Sequence, residues 1–205
     1  MLKRLSIELR VVGAPAPAGP LLLVANHVSW VDILALHSIC PCRFVAKADV
    51  ERWPLVGTLV TGGGTLYVKR ESRRDAMRVV HRMAHALKDG DILAVFPEGT
   101  TSDGSSVLPF HSGLIQAAIS ADAPVQPVAM QIVDRRSGRP SLAASYMGDE
   151  SLAKSVWRTL RARDLCAVVT FGAPERAAGR DRRAWATDLQ NEITAMRSRE
   201  ALRSP

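Results

Sequence analysis

A histidine and an aspartate lie close together where an apolar segment of this chain ends. In "LLLVANHVSWVD" (Leu21 to Asp32), His27 and Asp32 are five residues apart. Histidine is the usual general base near neutral pH, and a carboxylate on its other ring nitrogen fixes the tautomer and stabilises the imidazolium. On one helix these side chains would point about 140° apart, so we expect His27 in the turn after a strand and Asp32 in the first turn of a helix. The spacing alone is compatible with a structural ion pair and with a catalytic dyad.

The segment "GGGTLYVKRES" (Gly62 to Ser72) brings two cations to the start of a predicted helix. Three glycines lead into a strand that ends at Lys69 and Arg70, just before the helix that Ser72 begins. An arginine beside a helix N-terminus suits a phosphate group, because the guanidinium and the helix dipole attract the same anion. A glycine turn followed by solvated surface charges explains the segment at least as well.

The segment "AVFPEGTTSDG" (Ala94 to Gly104) places a carboxylate where another predicted strand ends. Glu98, Gly99 and Thr100 follow this strand, at the edge of the sheet where open α/β folds bind their ligands. A tight turn accounts for Pro97 and Gly99 but leaves Glu98 unexplained.

Prolines interrupt a later apolar segment, "APVQPVAM" (Ala123 to Met130), which carries Pro124 and Pro127. Proline cannot donate a hydrogen bond to a neighbouring strand, so it predicts an edge strand or a bulge. Such a strand could line an apolar channel.

The elements that must position these side chains alternate between apolar strands and helices, which indicates the α/β class. We predict a single domain over residues 1–205, with a mostly parallel sheet flanked by helices and no internal repeat. The predicted strands are Ile7–Val12, Leu21–Ala25, Phe44–Ala46, Thr65–Lys69, Ile92–Phe96, Val125–Met130 and Cys166–Phe171. The predicted helices are Trp30–Ile39, Ser72–Lys88, Ser112–Ser120, Leu152–Arg163 and Arg182–Arg203.

Composition narrows the possible partners and surroundings. The chain has 205 residues, 47% of them hydrophobic, and a formal charge of +7, which favours an anionic partner such as a nucleic acid, a lipid surface or a phosphorylated substrate. Its three cysteines form no zinc pattern, and Cys40 and Cys42 are too close for an ordinary disulfide, so we expect a reduced cytosolic protein. We find no signal peptide and no apolar run of the length needed to span a bilayer.

Taken together and in this order, the four segments resemble the glycerolipid acyltransferase family typified by lysophosphatidic acid acyltransferases. "NHVSWVD" resembles the His-x4-Asp block, "GTLYVKR" the second block, "FPEGTTS" the third and "APVQPVAM" the fourth. The resemblance covers a core from Leu21 to Met130 and includes "FVAK" at Phe44–Lys47. It implies a glycerol-3-phosphate acyltransferase-like fold and transfer of an acyl chain from a thioester to the free hydroxyl of a lysolipid.

The resemblance also implies roles for individual residues. His27 would deprotonate the acceptor hydroxyl, Asp32 would orient the ring, and Lys47 would stabilise charge on the thioester carbonyl oxygen. The residues implied in substrate binding are Asn26, Arg70, Glu98, Gly99 and Thr100. The family needs no metal, cofactor or acyl-enzyme, which agrees with the lack of a GxSxG nucleophile motif. The donor would be acyl-CoA or acyl carrier protein, and the enzyme would sit peripherally on the cytoplasmic membrane face.

Two positions depart from the family pattern and bear on the acceptor. Thr101 stands where many members have arginine after "PEGT", and His111 stands where many have lysine in "PFK". Each change removes a fixed positive charge near the presumed anion site. We expect 1-acyl-sn-glycerol-3-phosphate as acceptor, giving phosphatidic acid, with lyso-ornithine lipid as the alternative because "FPEGTTSDG" is similar to that branch.

Apolar segments after the first block could contact the membrane. These are Val31–Ile39 and Trp53–Val60, although packing in the core explains both better.

Other functions fit the chain less well. A nucleic-acid binder would need a recognition module, and the chain has only ten aromatic residues (4 Trp, 2 Tyr and 4 Phe). His81 and His85 have metal-ligand spacing but lack the glutamate of HExxH. A lipid hydrolase would use the same dyad on water, and a non-catalytic lipid-binding protein would not require His27.

Overall fold

Seven strands form one sheet in the computed structural model, which describes residues 2–47, 64–68, 72–148 and 150–203. The strands are β1 (Ile7–Val12), β2 (Leu21–Ala25), β3 (Arg43–Lys47), β4 (Leu66–Val68), β5 (Ile92–Val95), β6 (Val125–Asp134) and β7 (Leu165–Phe171). Their order across the sheet is β1-β7-β6-β2-β5-β3-β4. Every neighbouring pair is parallel except β6 and β7, which are antiparallel. The predicted α/β class with a mostly parallel sheet is therefore confirmed.

Helices cover both faces of this sheet, and they lie close to where the sequence predicts them. They are α1 (Trp30–Ile39), α2 (Arg73–Lys88), α3 (Gln116–Ala121), α4 (Leu152–Arg161) and α5 (Arg182–Arg203), with short 3-10 turns at Leu2–Leu5 and Leu142–Ala144. None of the described helices combines the length and the apolar character that crossing a membrane requires.

Strand β2 shows how the two faces are packed. Leu21, Leu23 and Ala25 belong to the core layer that includes residues of α1, whereas Leu22 and Val24 belong to the layer that includes residues of α2 and α5. Successive side chains of a strand point to opposite faces, so a strand buried on both faces is apolar throughout. This placement accounts for the uninterrupted "LLLVA".

Of the two expectations for the proline-containing strand, the edge position is wrong, because β6 lies inside the sheet between β2 and β7. The bulge is confirmed: Pro127 faces Gly172 and Val125 faces Glu175, so residues 173 and 174 both stand opposite Gln126. Pro127 pairs with Val24 of the parallel strand β2 and stands just before the ladder with β7 begins at Val128. There its carbonyl accepts from the Gly172 amide at 2.9 Å. The side chain of Gln126 donates to the Gly172 carbonyl at 2.8 Å, which supplies the hydrogen bond that a proline nitrogen cannot make.

The helix predicted at Ser112–Ser120 is shorter than expected and begins at Gln116. Residues 112–115 form turns instead. Gly113 lies in this stretch, and glycine favours helix less than most residues do.

The sheet topology gathers several chain segments at one edge. The carboxyl ends of the parallel strands β2, β5 and β6 lie there, together with the amino end of the antiparallel strand β7. Strand β6 continues beyond the end of β2, since Ala25 pairs with Val128 and β6 runs on to Asp134. We call this side of the sheet the catalytic edge, because the predicted site residues after β2 and β5 lie on it.

Candidate active site

The His27–Asp32 pair is built by the start of helix α1. Ser29 is the N-cap of α1 and Asp32 is its third residue, and the two form a reciprocal capping box. The Oδ2 atom of Asp32 accepts hydrogen bonds from the amides of Val28 (2.7 Å) and Ser29 (2.8 Å). It also lies 2.9 Å from Nδ1 of His27. The turn between strand and helix therefore brings together two side chains that one continuous helix would separate.

The geometry of this pair suits a general base. A carboxylate only accepts hydrogen bonds, so Nδ1 carries the proton and Nε2 is left to accept one. Asp32 is buried, whereas the His27 side chain keeps 16% of its surface exposed. The histidine can thus meet a substrate while its partner stays shielded from water.

An aromatic platform fixes the imidazole from one side. The His27 ring stacks on Phe96 with centroids 4.0 Å apart and planes 12° from parallel. Phe44 stacks on Phe96 in turn, at 6.1 Å. Because Phe96 directly follows β5 and Phe44 lies in β3, the ring is held against the sheet itself.

Asn26, predicted to bind substrate, is buried and occupied by the backbone. Its side-chain nitrogen donates to the Met130 carbonyl at 3.0 Å, and its oxygen accepts from the Met130 amide at 2.7 Å. This arrangement favours a positioning role, in which Asn26 fastens the end of β2 to β6 directly before His27.

The loop after β5 folds back onto the histidine. Gly99 adopts a positive φ of 72° and its amide donates to the Phe96 carbonyl at 3.1 Å, which forms a tight turn. The amide of Ser102 then donates to the His27 carbonyl at 2.9 Å. Gly99 and the exposed Thr100 of the third block thus lie in a loop that contacts His27 through Phe96 and Ser102, whereas Arg70 of the second block lies outside the described residues.

Glu98 is buried beneath this loop. Burial raises the pKa of its carboxyl group to about 8, and the charge of Asp32 adds to this shift. The backbone amides of His27 and Leu108 and the charge of Arg197 lower the pKa but offset the shift only in part. Among the residues that the structure describes, neither carboxylate oxygen has a hydrogen-bond partner of normal geometry. Burial thus favours the protonated, uncharged form of Glu98, and its role in binding substrate stays a prediction.

Arg197 is a residue of the site that sequence patterns did not indicate. It lies in α5, is buried, and its guanidinium Nη2 donates to the Gly104 carbonyl at the end of the loop. Burial lowers the pKa of Arg197, while the nearby charges of Glu98, Asp103 and Asp32 counter the shift. A cation from the last helix therefore lies next to both buried carboxyl groups.

The segment 141–147 is a second feature that the sequence did not reveal. The Ser29 hydroxyl donates to the Ala144 carbonyl, and the Tyr146 amide donates to the Val28 carbonyl at 3.4 Å. The Thr101 hydroxyl donates to the Tyr146 carbonyl. The position where many family members have arginine thus serves here to join two loops. Only Ser141, which caps the short turn that follows, marks this segment in the sequence.

Several other sequence predictions meet the structure as follows. Lys47 is the last residue of β3, but its side chain and the segment Trp53–Val60 fall outside what the structure describes. Val31–Ile39 is helix α1, and most of its apolar side chains are buried, so it offers no membrane-facing patch. His111 is exposed, and its amide donates to the Pro97 carbonyl at 2.9 Å.

The cysteines are poor candidates for a covalent mechanism. All three are free and buried. Burial and the neighbouring Cys40 raise the pKa of Cys42 to about 12, and burial also raises the pKa of Cys40 and of Cys166. A thiolate is the nucleophilic form of cysteine, so none of these thiols is activated.

The two histidines with metal-ligand spacing stand apart from the dyad. His81 and His85 are exposed on α2, and His85 Nδ1 lies 3.1 Å from Asp89 Oδ2. Within the described ranges, no group of three or more His, Cys, Asp or Glu side chains is arranged to hold a metal ion.

Comparison with known proteins places this geometry in a family. A family model described as Acyltransferase matches residues 8–131. The lyso-ornithine lipid O-acyltransferase of Pseudomonas aeruginosa is 40% identical over 189 residues, covering 92% of this chain and 72% of that protein. The 1-acyl-sn-glycerol-3-phosphate acyltransferase of Neisseria gonorrhoeae is 37% identical over 191 residues, covering 90% and 73%.

A solved structure supports the fold independently. The 1-acyl-sn-glycerophosphate acyltransferase PlsC of Thermotoga maritima superposes with a TM-score of 0.69 at 21% identity, covering 100% of this chain and 76% of that one. At that identity the likeness concerns the fold alone. The family model that matches residues 8–131 and the 40% identity to an O-acyltransferase show that this chain belongs to the acyltransferase family.

Proposed function

We propose that this protein transfers an acyl chain from a thioester to the free hydroxyl of a lysolipid. The observation that carries the proposal is the His27 ring, which Asp32 and Phe96 hold in one orientation while part of it stays exposed. The relatives named as lysolipid acyltransferases support the same chemistry.

In the proposed step, His27 Nε2 takes the proton from the acceptor hydroxyl, and the hydroxyl oxygen attacks the thioester carbonyl carbon. The buried carboxylate of Asp32, 2.9 Å from Nδ1, stabilises the imidazolium that forms. The carbon–sulfur bond then breaks, and the thiol leaves with the proton returned by His27. No nucleophile of the enzyme is acylated, which agrees with the buried, unactivated thiols of the three cysteines.

The remaining roles follow from the family pattern. Acyl-CoA or acyl carrier protein is the donor, and Lys47 stabilises the negative charge that develops on its carbonyl oxygen. Arg70 binds the acceptor phosphate, and Gly99 and Thr100 line the entrance next to the dyad. The protein works peripherally on the cytoplasmic face of a membrane, where its lipid acceptor resides.

Two acceptors are candidates, because relatives of similar identity are named for different lipids. Lysophosphatidic acid fits the "VKR" block with Arg70. Lyso-ornithine lipid is favoured by a specific observation: Thr101 replaces a cation of the family pattern, and its hydroxyl is used to bind the Tyr146 carbonyl.

The test is acyl transfer by the purified protein to lysophosphatidic acid and to lyso-ornithine lipid, side by side, with His27→Ala as control. Product from either acceptor that His27→Ala abolishes supports the proposal and identifies the acceptor. Hydrolysis of the thioester without transfer would instead identify a hydrolase. Equal product from wild type and His27→Ala would refute the proposed base.

A further inference from the structure

Helix α4 exposes an apolar face bordered by cations. Trp157 and Leu160 are 62% and 48% exposed, and Lys154 and Arg161 flank them on the same exposed side of the helix. The Arg161 guanidinium lies 5.8 Å from the centre of the Trp157 ring. A tryptophan and a leucine beside lysine and arginine, on one helix face, are the pattern of helices that lie in a membrane interface.

The neighbouring segment extends this apolar face toward the dyad. Leu142 and Met147 are both exposed, and the residues between them include Ala144 and Tyr146, which bind Ser29 and Val28 in the turn before α1. Tyr146, the residue before Met147, donates its amide to the Val28 carbonyl, and Val28 follows His27. The segment that carries these two exposed apolar side chains is thus bonded to the residue that follows His27.

Hydrogen bonds tie α4 firmly to this segment. Ser155 of α4 donates to the Ser145 carbonyl at 3.1 Å and accepts from the Trp30 indole at 3.2 Å. The Arg158 side chain contacts the Ala143 and Ser145 carbonyls and forms an ion pair with Glu150. A ligand bound to α4 would therefore have a fixed position relative to His27.

An open cavity of about 900 Å³ lies at the carboxyl end of α4. Arginine side chains line it from two sides, with Arg161 and Arg163 on one and Arg135 and Arg136 on the other, while Glu8 and Asp164 are its acidic members. Glu8 pairs with Arg135, and Asp164 pairs with Arg135 and Arg136. Four arginines against two carboxylates leave the cavity with a net positive charge. Such a cavity has room and charge for anionic headgroups.

We propose that the exposed face of α4, with Leu142 and Met147, is the surface by which this protein docks onto a bilayer containing anionic lipids. We call it the docking face. The inference rests on the proposed function, in that a lipid acceptor must enter the site from a membrane. Trp157 and Leu160 enter the interface, and Lys154, Arg161 and Arg163 contact the headgroups. The catalytic edge then faces the bilayer, and the lysolipid hydroxyl reaches His27 without leaving the membrane.

Binding to vesicles tests the docking face separately from catalysis. Wild type, the apolar variant Trp157→Ser/Leu160→Ser and the charge variant Lys154→Glu/Arg161→Glu are sedimented with phosphatidylcholine vesicles with and without phosphatidylglycerol. The matched apolar control is Met77→Ser, because Met77 on α2 is 57% exposed. The matched charge control is Arg182→Glu/Arg183→Glu, exposed at the start of α5. The start of α5 lies on the side of the sheet opposite the catalytic edge. This follows because the Trp185 indole binds Glu175, and Glu175 pairs with Val125, the first residue of β6.

We expect wild type and both controls to bind the anionic vesicles. The apolar variant should bind at least about tenfold more weakly, and the charge variant about fivefold more weakly for each cation lost. All variants should melt within a few degrees of the wild-type temperature, since each altered side chain is exposed.

Three outcomes would overturn the proposal: no vesicle binding by wild type, variants of the docking face that bind like wild type, or equal loss in the control variants. The docking face could instead join two copies of the chain. In that case wild type would be a dimer, Trp157→Ser/Leu160→Ser would be a monomer, and the two would bind vesicles equally, which contradicts the proposal. If vesicle binding depends on the face but no acyl transfer occurs, docking stands and the proposed function fails. If all variants still transfer the acyl chain to a short-chain acceptor dissolved as single molecules, and all bind vesicles like wild type, the proposed function stands and docking fails.

Discussion

A single oxygen atom of Asp32 both caps helix α1 and holds the general base. Its Oδ2 accepts from two backbone amides and faces His27 Nδ1. The other oxygen, Oδ1, is buried without a hydrogen-bond partner among the described residues. The orientation of the base is therefore set by the start of a helix, which is why a five-residue spacing can produce a dyad.

Asp32→Asn should separate charge from hydrogen bonding at this position. The amide keeps an acceptor for the backbone amides but cannot stabilise an imidazolium, so we expect kcat to fall by about 10² to 10⁴. Stability should drop by about 1–3 kcal/mol, because the amide nitrogen would take the unpartnered place of Oδ1. Steady-state kinetics and denaturant unfolding measure the two effects.

The control for Asp32→Asn is Ser29→Ala, which removes the capping hydroxyl but leaves both ends of the His27–Asp32 hydrogen bond. We expect a loss of about 1.5–5 kcal/mol in stability, because the helix loses its cap and the Ala144 carbonyl loses the Ser29 donor, with kcat within a few-fold of wild type. If the two variants lost the same activity, the dyad would be only structural.

Glu98 should make the stability of the protein depend on pH. Its pKa in the folded state is raised to about 8 by burial, above the ordinary value of 4.5. The folded state thus holds a proton that the unfolded state has released, and the stability present below pH 4.5 is lost as pH rises through 8. We expect a decline on the order of a few kcal/mol across this window.

Glu98→Gln keeps a neutral side chain of the same size and should remove that decline. Denaturant unfolding at pH 5, 6, 7 and 8 is the measurement. A further measurement at pH 4 gives the reference, because Glu98 is mostly protonated there in both the folded and the unfolded chain. The variant should match wild type near pH 4 and exceed it at pH 8. Parallel curves over the whole range would show that Glu98 is ionised in the folded protein.

At the scale of elements, α5 supports the site from a distance in the sequence. Arg197 reaches the Gly104 carbonyl 93 residues away, and its charge lies near Glu98 and Asp32. The backbone around Gly104 is crowded, since a Cβ atom there would stand 3.3 Å from Val28. The last helix thus fixes the loop that covers Glu98.

Arg197→Met should therefore shift the pH window of Glu98 upward, because removing a nearby cation disfavours the carboxylate. Activity should also fall, since the loop that contacts the His27 carbonyl loses its anchor. Arg197→Lys keeps the positive charge. Its stability should therefore decline over the same pH range as that of wild type, even if the lysine does not anchor the loop at Gly104. The measurement is unfolding free energy against pH for both variants; a purely structural role would move stability equally at every pH.

Elements were more predictable than the contacts between them. Within the described residues, each of the seven strands and five helices overlaps a segment that local patterns predict, because apolar runs and capping residues such as Ser72 act over a few residues. The bounds are less exact, since α3 begins four residues later than predicted and β6 ends four residues later. The interior position of the strand that carries Pro127 is not predictable from the proline alone. The side chain of Gln126 donates to the Gly172 carbonyl in place of the proline nitrogen, and only the structure shows this contact. Arg197 and the segment 141–147 left no local signal, since their partners are distant in sequence.

At the scale of the whole molecule, the fold concentrates chemistry and charge on one side. The dyad, the loop after β5, helix α4 and the arginine-lined cavity all lie at the catalytic edge, because β7 runs antiparallel to β6 and starts where β6 ends. The chain carries a formal charge of +7. An anionic donor should therefore be attracted to the molecule, and its capture should weaken as salt screens the charges.

The salt dependence of kcat/KM tests this electrostatic attraction. With an excess of a monomeric acceptor, we expect kcat/KM for acyl-CoA to fall several-fold between about 0.05 and 0.3 M salt, as the screening length shortens. A neutral donor, an acyl thioester of N-acetylcysteamine, should show little change, because it carries no charge to be steered. Equal salt dependence for the two donors would mean that salt acts on the protein or the acceptor. A steeper fall for acyl-CoA would show that the positive charge of the molecule helps to capture its donor.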